Sequence, residues 1–152
     1  MSGFTALLAV SPLDDGEHWR VLRSFGFECD HVGSGIFVRI KAGFITDFAS
    51  FPKIIWRGLM WWLPGWAKFS KPSPIHDQLY QTHYVEVDDV SGPVEEPVTR
   101  KRADDIFLHA MHIAWRHHKS GRAIARMEYW GVRAFGWLGW RFPRGKVTSV
   151  SR

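Results

Sequence analysis

The sequence has a single cysteine, Cys29, among its 152 residues. One cysteine cannot form an intramolecular disulfide, and it excludes a thiolate metal cluster. The chain is therefore expected to be made in a reducing cytoplasm. A basic N-terminal segment followed by a long apolar run is also lacking, so no signal peptide is predicted. The apolar stretch at residues 54–66 is interrupted by Arg57, Gly58 and Pro64, and it is too short to span a bilayer.

Acidic residues are fewer than basic ones, at 15 against 20, which gives a formal net charge of +5 with the eight histidines neutral. A basic balance is compatible with nucleic acid, an anionic membrane surface or an acidic protein partner. However, the sequence has no compact basic run interleaved with aromatics and no nucleic-acid-binding motif. Nucleic acid is therefore not an expected partner.

Aromatic residues are abundant, with nine tryptophans and eleven phenylalanines. Rings in this number predict an exposed aromatic surface in addition to a core. Residues 49–70 form a tryptophan-rich connector, for which two interpretations stay open. It is either a lid over a sheet or an interface, and the interface candidates are Trp56, Trp61, Trp62 and Trp66.

The length favours one domain over residues 1–152. Residues 4–48 contain short alternating apolar runs with turn residues between them, which predict antiparallel hairpins. The runs lie at 5–10, 18–23, 25–29 and 36–41. After the connector comes a helical part at 71–140 and a basic extended tail at 141–152. The predicted fold class is α+β, a small N-terminal antiparallel β-sheet followed by about three packed helices.

Three helices are predicted from capping residues and periodicity. Ser73 suits an N-cap and Pro74 the first helical position. Thr99 caps a second helix that runs to about Lys119, after a loop or small hairpin at 85–98. A third helix covers about Arg122 to Trp140. Its predicted packing side consists of Ile124, Met127, Gly131, Ala134 and Phe135.

His76 and Tyr80 lie four residues apart, so they share one face of the first helix. Asp77 points about a quarter turn away from them. Near a helix start, the partial positive charge favours an ionised Asp77 and a neutral His76, as a base or a metal ligand requires. Asp104 begins an apolar stripe on the second helix, where burial demands a partner. The plainer interpretation is a capped helix with a carboxylate near its start.

Three segments together resemble the phage and bacterial family called domain of unknown function 1353. They are Gly43–Pro52 (GFITDFASFP), Ile75–Tyr80 (IHDQLY) and Arg102–Phe107 (RADDIF). The resemblance extends from about residue 36 to 136, and it implies a phage or prophage origin, often near tail or lysis genes. The family's signature polar positions correspond here to Asp47, Ser50, His76, Asp77, Tyr80 and Asp104.

A more distant similarity connects the His-Asp pair, the following tyrosine and a later aspartate to phospholipase A2. That similarity implies that His76 is a general base for water, that Asp77 holds calcium and that Asp104 orients His76. The sequence departs from that pattern because it has one cysteine instead of a disulfide scaffold. Convincing calcium-loop glycines are also lacking.

Two functions therefore remain open. The first is a virion-associated tail or baseplate protein with a structural or assembly role, in which the His-Asp cluster is a buried network. This role is preferred because the sequence shows no complete catalytic constellation. The alternative is a phospholipase-like or cell-envelope-degrading hydrolase. Its catalytic candidates are His76, Asp104 and Tyr80, and Asp47 with Asp77 would bind a divalent cation, calcium or magnesium.

The virion role carries further expectations. The partners would be other phage structural proteins, with a membrane or envelope surface and a homo-oligomer or ring as open alternatives. The expected location is the virion, after synthesis in the host cytoplasm.

Overall fold

The computed structural model describes residues 3–48 and 70–143. These ranges contain seven strands and four helices, all bounded below. The strands are β1 (Val10–Pro12), β2 (Trp19–Val21), β3 (Phe25–Glu28), β4 (Ile36–Ile40), β5 (Ile45–Thr46), β6 (Tyr84–Asp89) and β7 (Gly92–Pro97). The helices are α1 (Pro72–Thr82), α2 (Arg100–Ala114), α3 (Gly121–Phe135) and α4 (Trp137–Arg141).

The strands form two antiparallel sheets, one of order β1-β2-β5 and one of order β3-β4-β6-β7. The β6-β7 hairpin lies between α1 and α2 in sequence, and β6 pairs with β4 of the N-terminal part. Its turn requires Gly92, whose φ of 119° is disfavoured for other residues. The predicted α+β class, with an N-terminal antiparallel sheet followed by helices, is confirmed.

The main core lies between the second sheet and the first two helices. Alternation in β4 directs Val38 and Ile40 inward, and both are buried together with Ile75 and Leu79 of α1. Ala103 of α2 belongs to the same cluster. Burial of each large apolar side chain contributes about 1.5–3 kcal/mol. This core fixes α1 against α2, which is the arrangement on which the polar site depends.

A second apolar cluster joins α2 to α3. Phe107 and Met111 of α2 pack with Ala125 and Val132 of α3. Gly121 permits the close approach at one end, since a Cβ atom there would lie 2.4 Å from the carbonyl oxygen of Trp115. The two helices are antiparallel, so the start of α2 lies beside the end of α3.

Several predicted boundaries differ from the structure. The strand expected at 5–10 begins only at Val10, and residues 45–46, which follow the last predicted run, pair with β2. Helix α1 begins at Pro72 with Lys71 as its N-cap, so Ser73 lies in the first turn instead of capping it. Two prolines in that turn cost no intrahelical hydrogen bond. Thr99 does cap α2 by accepting a hydrogen bond from the Arg102 amide.

The predicted packing side of the third helix is wrong except for Ile124, which packs against the second apolar cluster. The buried residues of α3 are Gly121, Ala125, Glu128 and Val132, whereas Met127 and Phe135 are exposed. Small residues on the buried side permit a close approach to α2. The helix also ends at Phe135, and Gly136 separates it from α4. Because Met127 and Phe135 are exposed, the outer face of α3 is apolar.

In the ranges 3–48 and 70–143, no helix has the length and apolar character needed to cross a membrane.

Candidate active site

Helix α1 presents His76 and Tyr80 on the face that packs against α2. The four-residue spacing aligns the two rings, whose centroids lie 4.1 Å apart. Asp104 projects from the first turns of α2 and is fully buried, and His76 is 2% exposed. The structure thus brings together the three predicted catalytic candidates, although 24 residues or more separate Asp104 from the other two.

Asp104 is the acceptor at the centre of this cluster. Its Oδ1 atom accepts a hydrogen bond from Tyr80 Oη at 2.6 Å and lies 3.1 Å from His76 Nε2. Its Oδ2 atom accepts from Arg133 Nη1 at 2.8 Å, and Arg100 Nη1 lies 3.6 Å away. Both carboxylate oxygens are therefore engaged, which fixes the orientation of the group.

These contacts determine the protonation states. Burial would raise the pKa of Asp104, but the hydrogen bonds from His76, Tyr80 and Arg133 lower it overall. Burial lowers the pKa of His76 and outweighs the opposing effect of Asp104, so the imidazole is neutral near pH 7. An ionised carboxylate can only accept, so Nε2 of His76 carries the ring proton. The lone pair is then on Nδ1, for which the described residues provide no hydrogen bond.

Aromatic rings hold His76 in place. Phe107 stacks on the imidazole with a centroid separation of 4.4 Å and an interplanar angle of 30°. Trp140 of α4 packs edge-on against Tyr80 at 5.3 Å. Gly136 makes room for the Tyr80 hydroxyl, because a Cβ atom at position 136 would lie 2.5 Å from Tyr80 Oη. A larger residue at 136 would displace the tyrosine that binds Asp104.

Asp77 lies outside the Asp104 cluster. Its Oδ2 atom accepts a hydrogen bond from the hydroxyl of Thr46 at the end of β5. Burial raises the pKa of Asp77 to about 7, against the lowering effect of the Thr46 bond. The ionised state predicted from the helix start therefore competes with the neutral state at neutral pH. A bound cation would favour the ionised form.

The cation site was predicted at Asp47 and Asp77. Thr46, the neighbour of Asp47, makes the contact to Asp77. Within residues 3–48 and 70–143, no group of three or more His, Cys, Asp or Glu side chains could hold a metal ion. The cation site stays a prediction.

Two arginines of the cluster were missed by sequence reasoning. Arg100 precedes Asp104 by four residues on one helix, a spacing that would have predicted the pair. Arg133 comes from α3, and no local pattern identifies it. Some candidates, namely Ser50, Trp56, Trp61, Trp62 and Trp66, lie outside the described residues.

Comparison with known proteins gives one match. The sequence model of the family described as "Protein of unknown function (DUF1353)" matches residues 19–132, about three quarters of the chain. The match includes His76, Tyr80, Asp104 and two thirds of the β-rich part. No curated protein and no solved structure matches the chain.

Proposed function

This chain belongs to the DUF1353 family, whose function is unknown, and we propose that it is a hydrolase in which His76 activates water. One observation carries the proposal, the bond between His76 Nε2 and Asp104. It leaves the basic lone pair on Nδ1, while Tyr80 and Arg133 fix the carboxylate. A general base needs this combination of a neutral imidazole and an orienting acceptor.

The reaction assigns a distinct role to each group. Nδ1 of His76 takes a proton from water, and the water oxygen attacks the acyl carbon of the substrate. The bond from that carbon to the leaving group then breaks, and the leaving group departs with the proton returned by His76. Asp104 stabilises the imidazolium that forms and does not itself become protonated. Tyr80 is a positioning residue, because its hydroxyl binds Asp104. Since His76 is only 2% exposed, water is a fitting reactant for the ring, whereas direct attack on a substrate is not.

The similarity to phospholipase A2 supports an ester substrate. The position of Tyr80, one helical turn after the histidine, and its bond to the orienting aspartate suit that arrangement. Phospholipid esters are therefore the first substrate class to test. Calcium would be held through Asp77, whose pKa burial raises to about 7, so the metal would compete with a proton for this carboxylate.

The test uses His76→Gln, whose amide nitrogen can still donate to Asp104 but is not basic. Fatty-acid release from phospholipid vesicles would be measured with calcium and with a chelator. We expect hydrolysis by the native protein and a loss of at least about 100-fold in His76→Gln, the usual size of a general-base contribution. Tyr80→Phe should retain partial activity. A folded His76→Gln protein as active as the native one would refute the proposal, as would a native protein without ester hydrolysis.

A virion-associated role is the second candidate, and the exposed apolar outer side of α3 and α4 favours it. Trp130 is 68% exposed, Trp137 51% and Phe142 67%. Exposed patches of large rings usually mark contact surfaces. Among the partners expected for this role, further copies of the chain are the ones that the protein alone can test. Sedimentation analysis should show an oligomer for the native protein and a monomer for Trp130→Gln/Trp137→Gln, and a monomeric native protein would count against this role.

A further inference from the structure

A basic cleft lies where the end of α2 meets the start of α3, away from Asp104. Its volume is about 270 Å³, and the described residues that line it are His112, Arg116, Arg122 and Arg126. Arg122 and Arg126 lie four residues apart on α3, so their side chains share one face. His112 lies in the last turn of α2, and Arg116 lies in the turn that follows this helix. All four are cationic or can become so.

No carboxylate of the described residues forms an ion pair with the arginines that line this cleft. In the described ranges, Arg116, Arg122 and Arg126 form no ion pair, although other arginines do. Arg39 binds Glu86 and Arg102 binds Asp30, for example. Arg122 and Arg126 also repel each other, since like charges four residues apart are unfavourable. Such an arrangement is costly for the protein alone.

The environment of His112 is also affected by the positive charge of this cleft. Its Nε2 atom is buried and has no hydrogen-bond partner among the described residues. Burial lowers the pKa of His112, and the charges of Arg122 and Arg126 lower it further. The ring therefore stays neutral, and the arginines carry the positive potential of the cleft.

The helix start adds to this potential. Helix α3 is 15 residues long, and its N-cap Ser120 makes no side-chain capping bond. The first amide groups of such a helix attract anions. The arginines at 122 and 126 are in the first two turns, so the helix end and the guanidinium groups favour the same charge.

We propose that this cleft binds a phosphate group. Guanidinium groups match phosphate oxygens in bidentate geometry, and several of them together provide the positive charge that neutralises a phosphate. The cleft exceeds the size of a single phosphate, which leaves room for an ester substituent. On the outer side of α3, Met127 and Trp130 are exposed close to Arg126 along the helix. The phosphate group would therefore belong to a phospholipid headgroup, or to a free phosphate or phosphate ester.

The first arm of the test measures thermal unfolding with inorganic phosphate against chloride at equal ionic strength. Phosphate at about ten times its dissociation constant for one site should raise the melting temperature by about 3–6 °C. Arg122→Gln/Arg126→Gln should lose this shift. Arg20→Gln/Arg23→Gln removes two exposed arginines elsewhere and should keep it. An equal shift in chloride, or one that persists in the cleft variant, would overturn the proposal.

The second arm measures sedimentation with phosphatidylglycerol vesicles and with phosphatidylcholine vesicles as the neutral comparison. Binding that falls at least about ten-fold in the cleft variant but not in the matched control identifies a lipid headgroup. A phosphate shift without vesicle binding identifies a free phosphate or phosphate ester. Equal losses in both variants would indicate general electrostatic attraction and would refute a specific cleft, as would the absence of both effects.

Discussion

The two ends of the α2-α3 pair use arginine in opposite ways. At one end, Arg100 and Arg133 surround the carboxylate of Asp104, whose second oxygen binds Tyr80. At the other end, Arg122 and Arg126 face a cleft whose described lining residues include no carboxylate. At the first end, called the closed end below, the arginines are paired with a carboxylate that can hold His76 in one orientation. At the second end, called the open end, the described residues leave the arginine charge available to a ligand.

This contrast has an energetic meaning. A buried charge whose partners are removed is strongly destabilising, whereas removal of one of several repelling surface charges is not. Substitutions at the closed end should therefore cost stability. Substitutions at the open end should cost ligand binding and leave stability unchanged or slightly improved.

The largest expected effect is at the centre of the closed end. Asp104→Asn keeps the shape of the side chain but removes the charge that Arg100, Arg133 and His76 face. Because the carboxylate is fully buried and the arginines are only partly so, unfolding free energy should fall by about 3 kcal/mol. Urea denaturation followed by circular dichroism measures this loss.

The neighbouring residue provides the control for that experiment. Asp105 is partly exposed, and its carboxylate accepts bonds from Lys101 and Tyr129. Asp105→Asn should lower the unfolding free energy by less than about 1 kcal/mol, as is usual for surface ion pairs. If both variants lose the same amount, the Asp104 cluster is not the energetic centre of this end.

The next effect concerns Glu128, which lies between the two ends on the buried side of α3. It is 3% exposed, and burial raises its pKa from 4.5 to about 8. Above pH 4.5 the unfolded chain loses this proton while the folded protein keeps it, so stability falls as pH rises and levels off above about 8. The loss at pH 7 is about 3 kcal/mol.

Glu128→Gln should flatten this pH dependence, and the change in unfolding free energy between pH 5 and pH 8 is the quantity to compare. Met127→Gln alters an exposed neighbour and retains the carboxyl group, so it should keep the native slope. If Glu128→Gln retains that slope, then Glu128 is ionised in the folded protein. It would then neutralise part of the open end.

A smaller loss is expected at Arg133, which the closed end shares with α3. Arg133→Gln removes one bond to Asp104 but leaves His76, Tyr80 and Arg100 in place. A hydrogen bond between charged groups contributes about 1.5–3 kcal/mol, and partial exposure of the guanidinium places the loss at the lower limit. Thermal or urea unfolding measures it, and no loss would mean that Arg100 alone can hold the carboxylate.

Sequence patterns predicted much of the closed end because its contacts follow local rules. The spacing of His76 and Tyr80 requires only a helix, and Asp104 in an apolar stripe requires a partner. The α+β class followed from alternation and turn residues. The choice of His76 as partner of Asp104 needed the packing of α1 on α2, for which the similarity to phospholipase A2 was the main guide.

The open end was not predictable in the same way. Helix α3 is apolar on both sides, and its buried side includes the polar residue Glu128. A hydropathy pattern therefore favoured the side with Met127 and Ala134, which is exposed. Because the buried side of α3 was assigned to the wrong residues, the contact of Arg133 with Asp104 could not be inferred. The position of Arg122 and Arg126 near the end of α2 could not be inferred for the same reason.

The smallest effect has the opposite sign and tests the contrast most directly. Arg126→Gln removes a charge that repels Arg122 four residues away, and no described carboxylate compensates it. In buffer without phosphate and at low salt, the unfolding free energy should rise by about 0.5 kcal/mol. At about 1 M salt, where the screening length is about 3 Å, the gain should vanish. Arg133→Gln under the same conditions should still lose stability, because its partner is buried. A loss for Arg126→Gln comparable to that of Arg133→Gln would show that the open end is held by a partner within the chain, and the contrast between the two ends would fail.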